Sequence, residues 1–167
     1  VSFEKTERGW EVDFGKEISG WLRFDGVKGS KGDVLKVEYV SESPVGTQSY
    51  IFGEGDCNDY APKFTWYVFR KAIITGVELK RENVIAEVVN TDVRVNSEFT
   101  TSNPLLNTIN TIWRRSLEDN LHGGVMSDCP HREKSPYTGD GQICCETVMA
   151  NYDCYTFYHK WLRDMRD

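Results

Sequence analysis

The residues most suited to chemistry in this chain lie in one short stretch, Ser127-Asp128-Cys129-Pro130-His131-Arg132-Glu133-Lys134-Ser135-Pro136-Tyr137-Thr138-Gly139-Asp140-Gly141. Carboxylates at Asp128, Glu133 and Asp140, a guanidinium at Arg132 and an imidazole at His131 fall within the thirteen residues from Asp128 to Asp140. A carboxyl group whose proton is retained by burial or by a neighbouring carboxylate is a general acid, and an ionised one beside it is an acceptor for hydroxyl groups. Pro130, Pro136 and the Gly139-Asp140-Gly141 run argue against a regular helix through the stretch and for a stiff loop. The duller reading, a solvated charged surface, is weakened by Cys129, Tyr137 and the apolar runs on either side.

Helical patterns flank this loop. Asn103 suits a helix N-cap and Pro104 the first helical position. Leu105, Ile109, Ile112 and Ser116, flanked by Leu106, Trp113 and Leu117, recur on one face, which is expected to pack. Gly123-Gly124 is expected to end that helix. A second helix is expected from Asp140, whose carboxylate would cap it, to about Tyr152. A third, capped by Asp153, carries Cys154, Phe157, Tyr158, Trp161, Leu162 and Met165 as an apolar stripe. Before residue 98 the periodicity is that of strands. Trp10, Val12 and Phe14 alternate with polar residues, as do Leu35, Val37 and Tyr39. Trp21 to Asp25, Phe64 to Phe69, Ile73-Ile74 and Val84 to Val95 supply further strands. The segment Pro44 to Pro62, with Glu54, Asp56, Cys57 and Asp59, reads as a solvated loop lacking the spacing of an EF-hand. The expected architecture is therefore α+β, an antiparallel β-sandwich over residues 1–98 feeding helices over 99–167.

Composition narrows the function. The 167 residues are 39% hydrophobic and 13% aromatic, enough for a packed core. Twenty basic against 26 acidic side chains give a net charge of −6, which disfavours a nucleic-acid partner. No apolar run reaches the length of a membrane span. Five cysteines make no paired framework; Cys129, Cys144, Cys145 and Cys154 are read as buried small hydrophobes. Cys129 and His131 lack the further ligands a zinc site needs, and proline after Cys129 with no orienting partner argues against a cysteine nucleophile. His122 and His159 fall in helical patterns and read as structural. The start at Val1 and the end at Asp167 within a helical pattern suggest a piece of a longer protein.

Asp128-Cys129-Pro130-His131-Arg132-Glu133, followed by Thr138-Gly139-Asp140-Gly141-Gln142 and Glu146, resembles the signature of the bacterial α-L-rhamnosidases of glycoside hydrolase family 78. There an Asp-Cys-Pro-x-Arg-Asp/Glu run precedes a Gly-Asp-x-Gln run at this spacing. Ser102-Asn103-Pro104-Leu105-Leu106-Asn107 resembles the family's entry into its first catalytic helix. Asp13-Phe14-Gly15 with Ser19-Gly20-Trp21 resembles the start of its preceding β-domain. The resemblance implies that the helices open an (α/α)6 barrel, and that terminal α-L-rhamnosyl residues are hydrolysed with inversion. It also implies Glu133 as general acid, and Asp128 and Asp140 as hydroxyl acceptors on the sugar ring. Tyr137 would pack on the sugar's apolar side, where the family commonly has Gly-Trp or Gly-Tyr in place of Pro136-Tyr137. Arg132 is expected near the substrate and turned from Glu133, since a cation there would oppose protonation. The base would be a glutamate beyond Asp167; Glu146 lies too near in sequence to serve. A rhamnose-containing glycoside or polysaccharide is the implied partner, no metal or organic cofactor is implied, and a secreted or periplasmic location is favoured. The rival reading is a non-catalytic carbohydrate-binding protein using the β-domain, with Trp10, Trp21 and Trp66 as stacking residues.

Overall fold

A computed structural model describes residues 1–167 as two compact units, Val1–Val89 and Asn90–Asp167. The division precedes residue 98 because the strand Arg94–Val95 pairs with Tyr152–Asp153 and so belongs with the helices.

The first unit is all antiparallel: β1 (Ser2–Thr6), β2 (Gly9–Phe24), β3 (Val34–Val40), β4 (Pro44–Ile51), β5 (Tyr67–Thr75) and β6 (Val84–Val88). They run in the order β1-β2-β5-β3-β4, with β6 also against β2. Alternation decides the faces. Leu35, Val37 and Tyr39 of β3 are fully buried, while Lys36 and Glu38 point the other way. Leu22, Phe24, Phe69 and Ile74 complete the core against them.

Two strands expected around Trp10 and Trp21 are one strand of 16 residues. What breaks its regularity is a bulge between Asp13 and Ile18, not a turn. Asp13 pins that bulge: its Oδ1 accepts from the Gly15 N–H at 2.7 Å and from Arg70 Nε at 3.1 Å. Arg70 and the Gly15 N–H outweigh its modest desolvation and hold its pKa below the usual carboxylate value. Its first half thus pairs with β1 and its second with β6. Past Gly20, β2 no longer pairs with β5. Side chains then take over: the Leu22 N–H donates to Tyr39 Oη at 2.9 Å, and its carbonyl accepts from Gln48 Nε2 at 3.2 Å.

The expected strands at Phe64–Phe69 and Ile73-Ile74 are likewise one, β5, and Phe64 itself is fully exposed. The expected loop from Pro44 is a strand as far as Ile51. Its acidic residues beyond that point are spent on cations, Glu54 on Lys31, Asp56 on Lys28 and Asp59 on Arg23.

The second unit contains β7 (Arg94–Val95), α1 (Pro104–Asp119), β8 (Leu121–His122), β9 (Val125–Met126), α2 (Thr138–Asn151), β10 (Tyr152–Asp153) and α3 (Tyr155–Arg166). Asn103 caps α1 as expected, its Oδ1 accepting from the Leu105 N–H at 3.0 Å. Asn107 braces the entry, accepting from the Thr101 N–H and donating to its carbonyl, both at 2.9 Å. The expected packing of α1 is different: Leu105, Ile109 and Ile112 are more than half exposed, and Leu117 is the residue of this helix that is buried. Periodicity makes a stripe; it does not supply the surface that covers it.

Gly123-Gly124 does not end α1. It forms the turn of a hairpin joining β8 to β9, with φ of +63° and +74°, the left-handed pair that a tight hairpin favours. His122 therefore lies on a strand, not on a helix. The core here gathers Leu117, Leu121, Met126, Val148, Tyr152, Phe157 and Trp161. Cys154 joins it; Cys129, Cys144 and Cys145 are only partly buried, and all five cysteines are free thiols. Of the expected α3 stripe, Leu162 and Met165 face outward. Arg114 of α1 ties the unit together, its Nη2 donating to the Ser97 carbonyl and to Asn151 Oδ1 at 2.9 and 3.0 Å. No helix is long and apolar enough to cross a membrane.

Candidate active site

The loop opens where Ser127, buried, donates through Oγ to Asn120 Oδ1 at 3.0 Å. Pro130 starts a turn that runs to Glu133. The Cys129 carbonyl accepts from both the Arg132 N–H at 3.3 Å and the Lys134 N–H at 3.1 Å. The Ser135 carbonyl accepts from the Asp128 N–H at 3.2 Å and from the Tyr137 N–H at 3.1 Å. These bonds join the two ends of the segment Asp128–Ser135 and place Glu133 in the irregular stretch between α1 and α2.

The structure brings Asp128, Arg132 and Glu133 together. Burial disfavours the Asp128 carboxylate, but a hydrogen bond shared with the Glu133 carboxyl and bonds from backbone N–H groups, Cys129 and Ser135 among them, reverse this and hold its pKa down. Its Oδ1 is sealed from solvent with no hydrogen-bond partner. A buried carboxylate oxygen without a donor is costly and calls for one.

Arg132 departs from expectation. Its Nη2 lies 3.0 Å from Glu133 Oε1 instead of turning to an aspartate. The two are sequence neighbours on the exposed side of the loop, so a short ion pair forms without ordering anything else. Pairing with Glu133 raises the pKa of Arg132 further.

Asp140 and Tyr137 stand apart from this trio in role. Gly139, Asp140 and Gly141 lie inside α2, not in a turn. Its N-cap is Tyr137, half exposed and extended at φ −76°, ψ 132°, and Asp140 sits in the first turn, where a negative charge is favoured by the helix dipole. Likewise Cys154, not Asp153, is the N-cap of α3. Gly141 marks where α2 packs against α3. A Cβ at this position would lie 2.0 Å from Cη2 of Trp161, so α2 and α3 meet at a distance only glycine allows. Gly141 is expected in a turn; its place beneath a tryptophan leaves no local signal in the sequence.

Two further residues shape the loop from behind. Lys134 is partly buried, which lowers its pKa, and it adopts a left-handed backbone at φ +56°. His122 is pushed down to about 4, mainly by burial, with Lys134 adding repulsion and a bond to the Asp119 backbone opposing both. Neither feature is written in residue type. The His122 shift carries a sign. Folded, the imidazole stays neutral down to about 4, whereas unfolded it binds a proton near its ordinary value of 6.5. Between those values the unfolded chain holds more protons, so stability is full above 6.5 and falls as pH drops towards 4. His122→Gln is expected to flatten that part of the acid limb, measured as denaturant midpoint against pH. An unchanged slope would show that His122 is not buried neutral.

Cys129 Sγ lies 3.8 Å from His131 Nδ1, but no group of three or more His, Cys, Asp or Glu side chains converges as a metal site would require. Two of the aromatic candidates of the β-unit, Trp10 and Trp21, are engaged elsewhere. Trp10 stacks on Phe3 and lies beneath Lys5, and Trp21 Nε1 donates to Glu87 at 2.8 Å.

Residues 4–90 match the model of the bacterial α-L-rhamnosidase concanavalin-like domain, and residues 94–167 that of the bacterial α-L-rhamnosidase six-hairpin glycosidase domain. The chain belongs to the bacterial α-L-rhamnosidase family. An α-L-rhamnosidase of Formosa agariphila is 32% identical over 98% of this chain and 19% of its own length. One of Streptomyces avermitilis is 27% identical over 93% of this chain and 16% of its own. Among solved structures, the α-L-rhamnosidase of Dictyoglumus thermophilum superimposes with a TM-score of 0.90 at 26% identity, covering 99% of this chain and 20% of that one. The Streptomyces avermitilis α-L-rhamnosidase complexed with L-rhamnose gives 0.84 at 26% identity, over 98% and 17%. The chain thus spans less than a fifth of the curated rhamnosidases it matches. Both units are those of the family, an antiparallel β-domain followed by the opening helices of the six-hairpin domain, and the rival carbohydrate-binding reading is not favoured.

Proposed function

We propose that this chain carries the acid-bearing part of an enzyme that hydrolyses terminal α-L-rhamnosyl residues of glycosides or polysaccharides with inversion. The observation that carries the reading is Asp128: a buried carboxylate oxygen without a donor, one hydrogen bond away from Glu133. A sugar hydroxyl is the donor such an oxygen lacks.

In this reading Glu133 delivers its proton to the glycosidic oxygen as the aglycone leaves, while a water deprotonated by the base bonds to the opposite face of the anomeric carbon through a transition state with positive charge on the sugar ring. Asp128, ionised and with one oxygen lacking a donor, grips ring hydroxyls. Asp140 and Tyr137, on the first turn and cap of α2, would line the sugar, with Arg132 at the rim. The Arg132–Glu133 ion pair occupies the carboxyl that must meet the glycosidic oxygen, so binding must exchange this exposed contact for the substrate. Asp128 shares a hydrogen bond with Glu133, whereas an inverting base stands roughly 6.5–9.5 Å from the acid with water between. Asp128 is thus too close to be the base, which the family resemblance implies is a glutamate beyond Asp167.

The isolated chain is accordingly expected to show no turnover of aryl α-L-rhamnosides, while the full-length protein releases rhamnose of inverted configuration, read by NMR of the first-formed anomer. Robust hydrolysis by the isolated chain would place the whole acid–base pair within it and overturn this division of labour.

A further inference from the structure

Three residues other than glycine have positive φ: Asp59, Phe64 and Lys134. An aspartate tolerates that region through its short polar side chain, but a lysine has no such local compensation. Such a conformation persists where the surroundings hold it, and outliers of this kind gather at functional sites. The surroundings of Lys134 are specific. Its N–H is bound to the Cys129 carbonyl, and its side chain is partly buried. On one side stands Glu133, whose carbonyl accepts from Ser135 Oγ at 3.3 Å; on the other stands Ser135, whose carbonyl accepts from the Asp128 N–H. With negative φ at Lys134 the chain would leave the turn in another direction. Ser135 would then separate from Asp128, and Glu133 would lose its fixed place beside the Asp128 carboxyl.

We propose that Lys134 is a positioning residue: its left-handed backbone folds the loop back on itself and holds Glu133 against Asp128. The inference rests on Glu133 being the proton donor.

The test uses the full-length protein and two replacements. Lys134→Val forces a β-branched residue where φ is positive; Lys134→Gly keeps that conformation and removes the side chain. If the backbone is what positions the acid, Lys134→Val lowers kcat on rhamnosides with poor leaving groups by about ten- to a hundredfold. KM should stay near its native value, and nitrophenyl rhamnosides should suffer much less. Lys134→Gly restores kcat to within about threefold of native, since glycine adopts positive φ freely. Native kcat in Lys134→Val, or equal losses on good and poor leaving groups, overturns the proposal. Should Lys134→Val not fold, Lys134→Gly still decides: a folded glycine variant impaired by more than about tenfold would show that the side chain, not the backbone, matters. Glu133→Gln run in parallel separates the two ideas. If it leaves turnover intact, the assignment of the acid fails; if it abolishes acid assistance while both Lys134 variants match native, only the positioning role fails.

Discussion

Glu133→Gln in the full-length protein is expected to lower turnover of natural rhamnosides by about 10²–10⁴-fold, the usual contribution of a positioned general acid. Glutamine keeps the length and hydrogen-bonding reach of the side chain but has no proton to give. A nitrophenolate leaves without protonation, so nitrophenyl rhamnosides should lose far less. Affinity should change little, because the ring is held chiefly by Asp128 and Asp140 in this proposal. Asp128→Asn should behave differently. It removes the charge and half the acceptor capacity of the carboxylate whose Oδ1 is buried without a donor. Binding and rate should therefore weaken for good and poor leaving groups alike. Equal losses for both substrate classes in Glu133→Gln would make Glu133 a positioning residue with the proton supplied from elsewhere. No loss at all would move the catalytic centre off this loop.

The second large effect concerns the seat of the loop. Trp161 is 5% exposed, lies over Gly141 and contacts Phe157 and Tyr158 edge-on or stacked. Trp161→Ala is expected to destabilise the helical unit by about 3–5 kcal/mol, the cost of emptying a buried aromatic site. Gly141→Ala should cost about 1–3 kcal/mol through overpacking, since its Cβ would stand 2.0 Å from Cη2 and 2.2 Å from Cζ3 of Trp161. The two changes should couple with a reversal of sign. Once the indole is gone the clash is gone, and alanine in a helix is better than glycine by about 1 kcal/mol. Gly141→Ala should thus be destabilising in the native background and stabilising in Trp161→Ala, read from denaturant midpoints of the helical-unit transition. Additive effects would mean that Gly141 and Trp161 do not touch. Because Asp140 adjoins Gly141, the destabilising change should also weaken substrate binding before it abolishes folding.

Local rules carried much of this molecule. Alternation at Leu35, Val37 and Tyr39 determined which face of a strand is buried, and Asn103-Pro104 determined where α1 begins, because both depend on neighbours within a few residues. The loop from Asp128 to Glu133 was likewise legible as a chemical unit, since its residue types and spacing are themselves the signal. Tertiary structure decided what depends on distant partners. It joined two apparent strands into β2, because a bulge pinned by Asp13 and Arg70 bends the chain where sequence suggested a break. It turned Gly123-Gly124 into a hairpin, carried α2 back through Gly139 to Thr138, and set Trp161, twenty residues beyond Gly141, where only a glycine fits beneath it. It left Leu105, Ile109 and Ile112 exposed, since periodicity makes an apolar stripe but does not supply the surface that covers it. Finally, it paired Arg132 with Glu133 and set Lys134 left-handed. Those two features follow from how the Cys129 and Ser135 carbonyls gather the loop's N–H groups, and no residue type announces that.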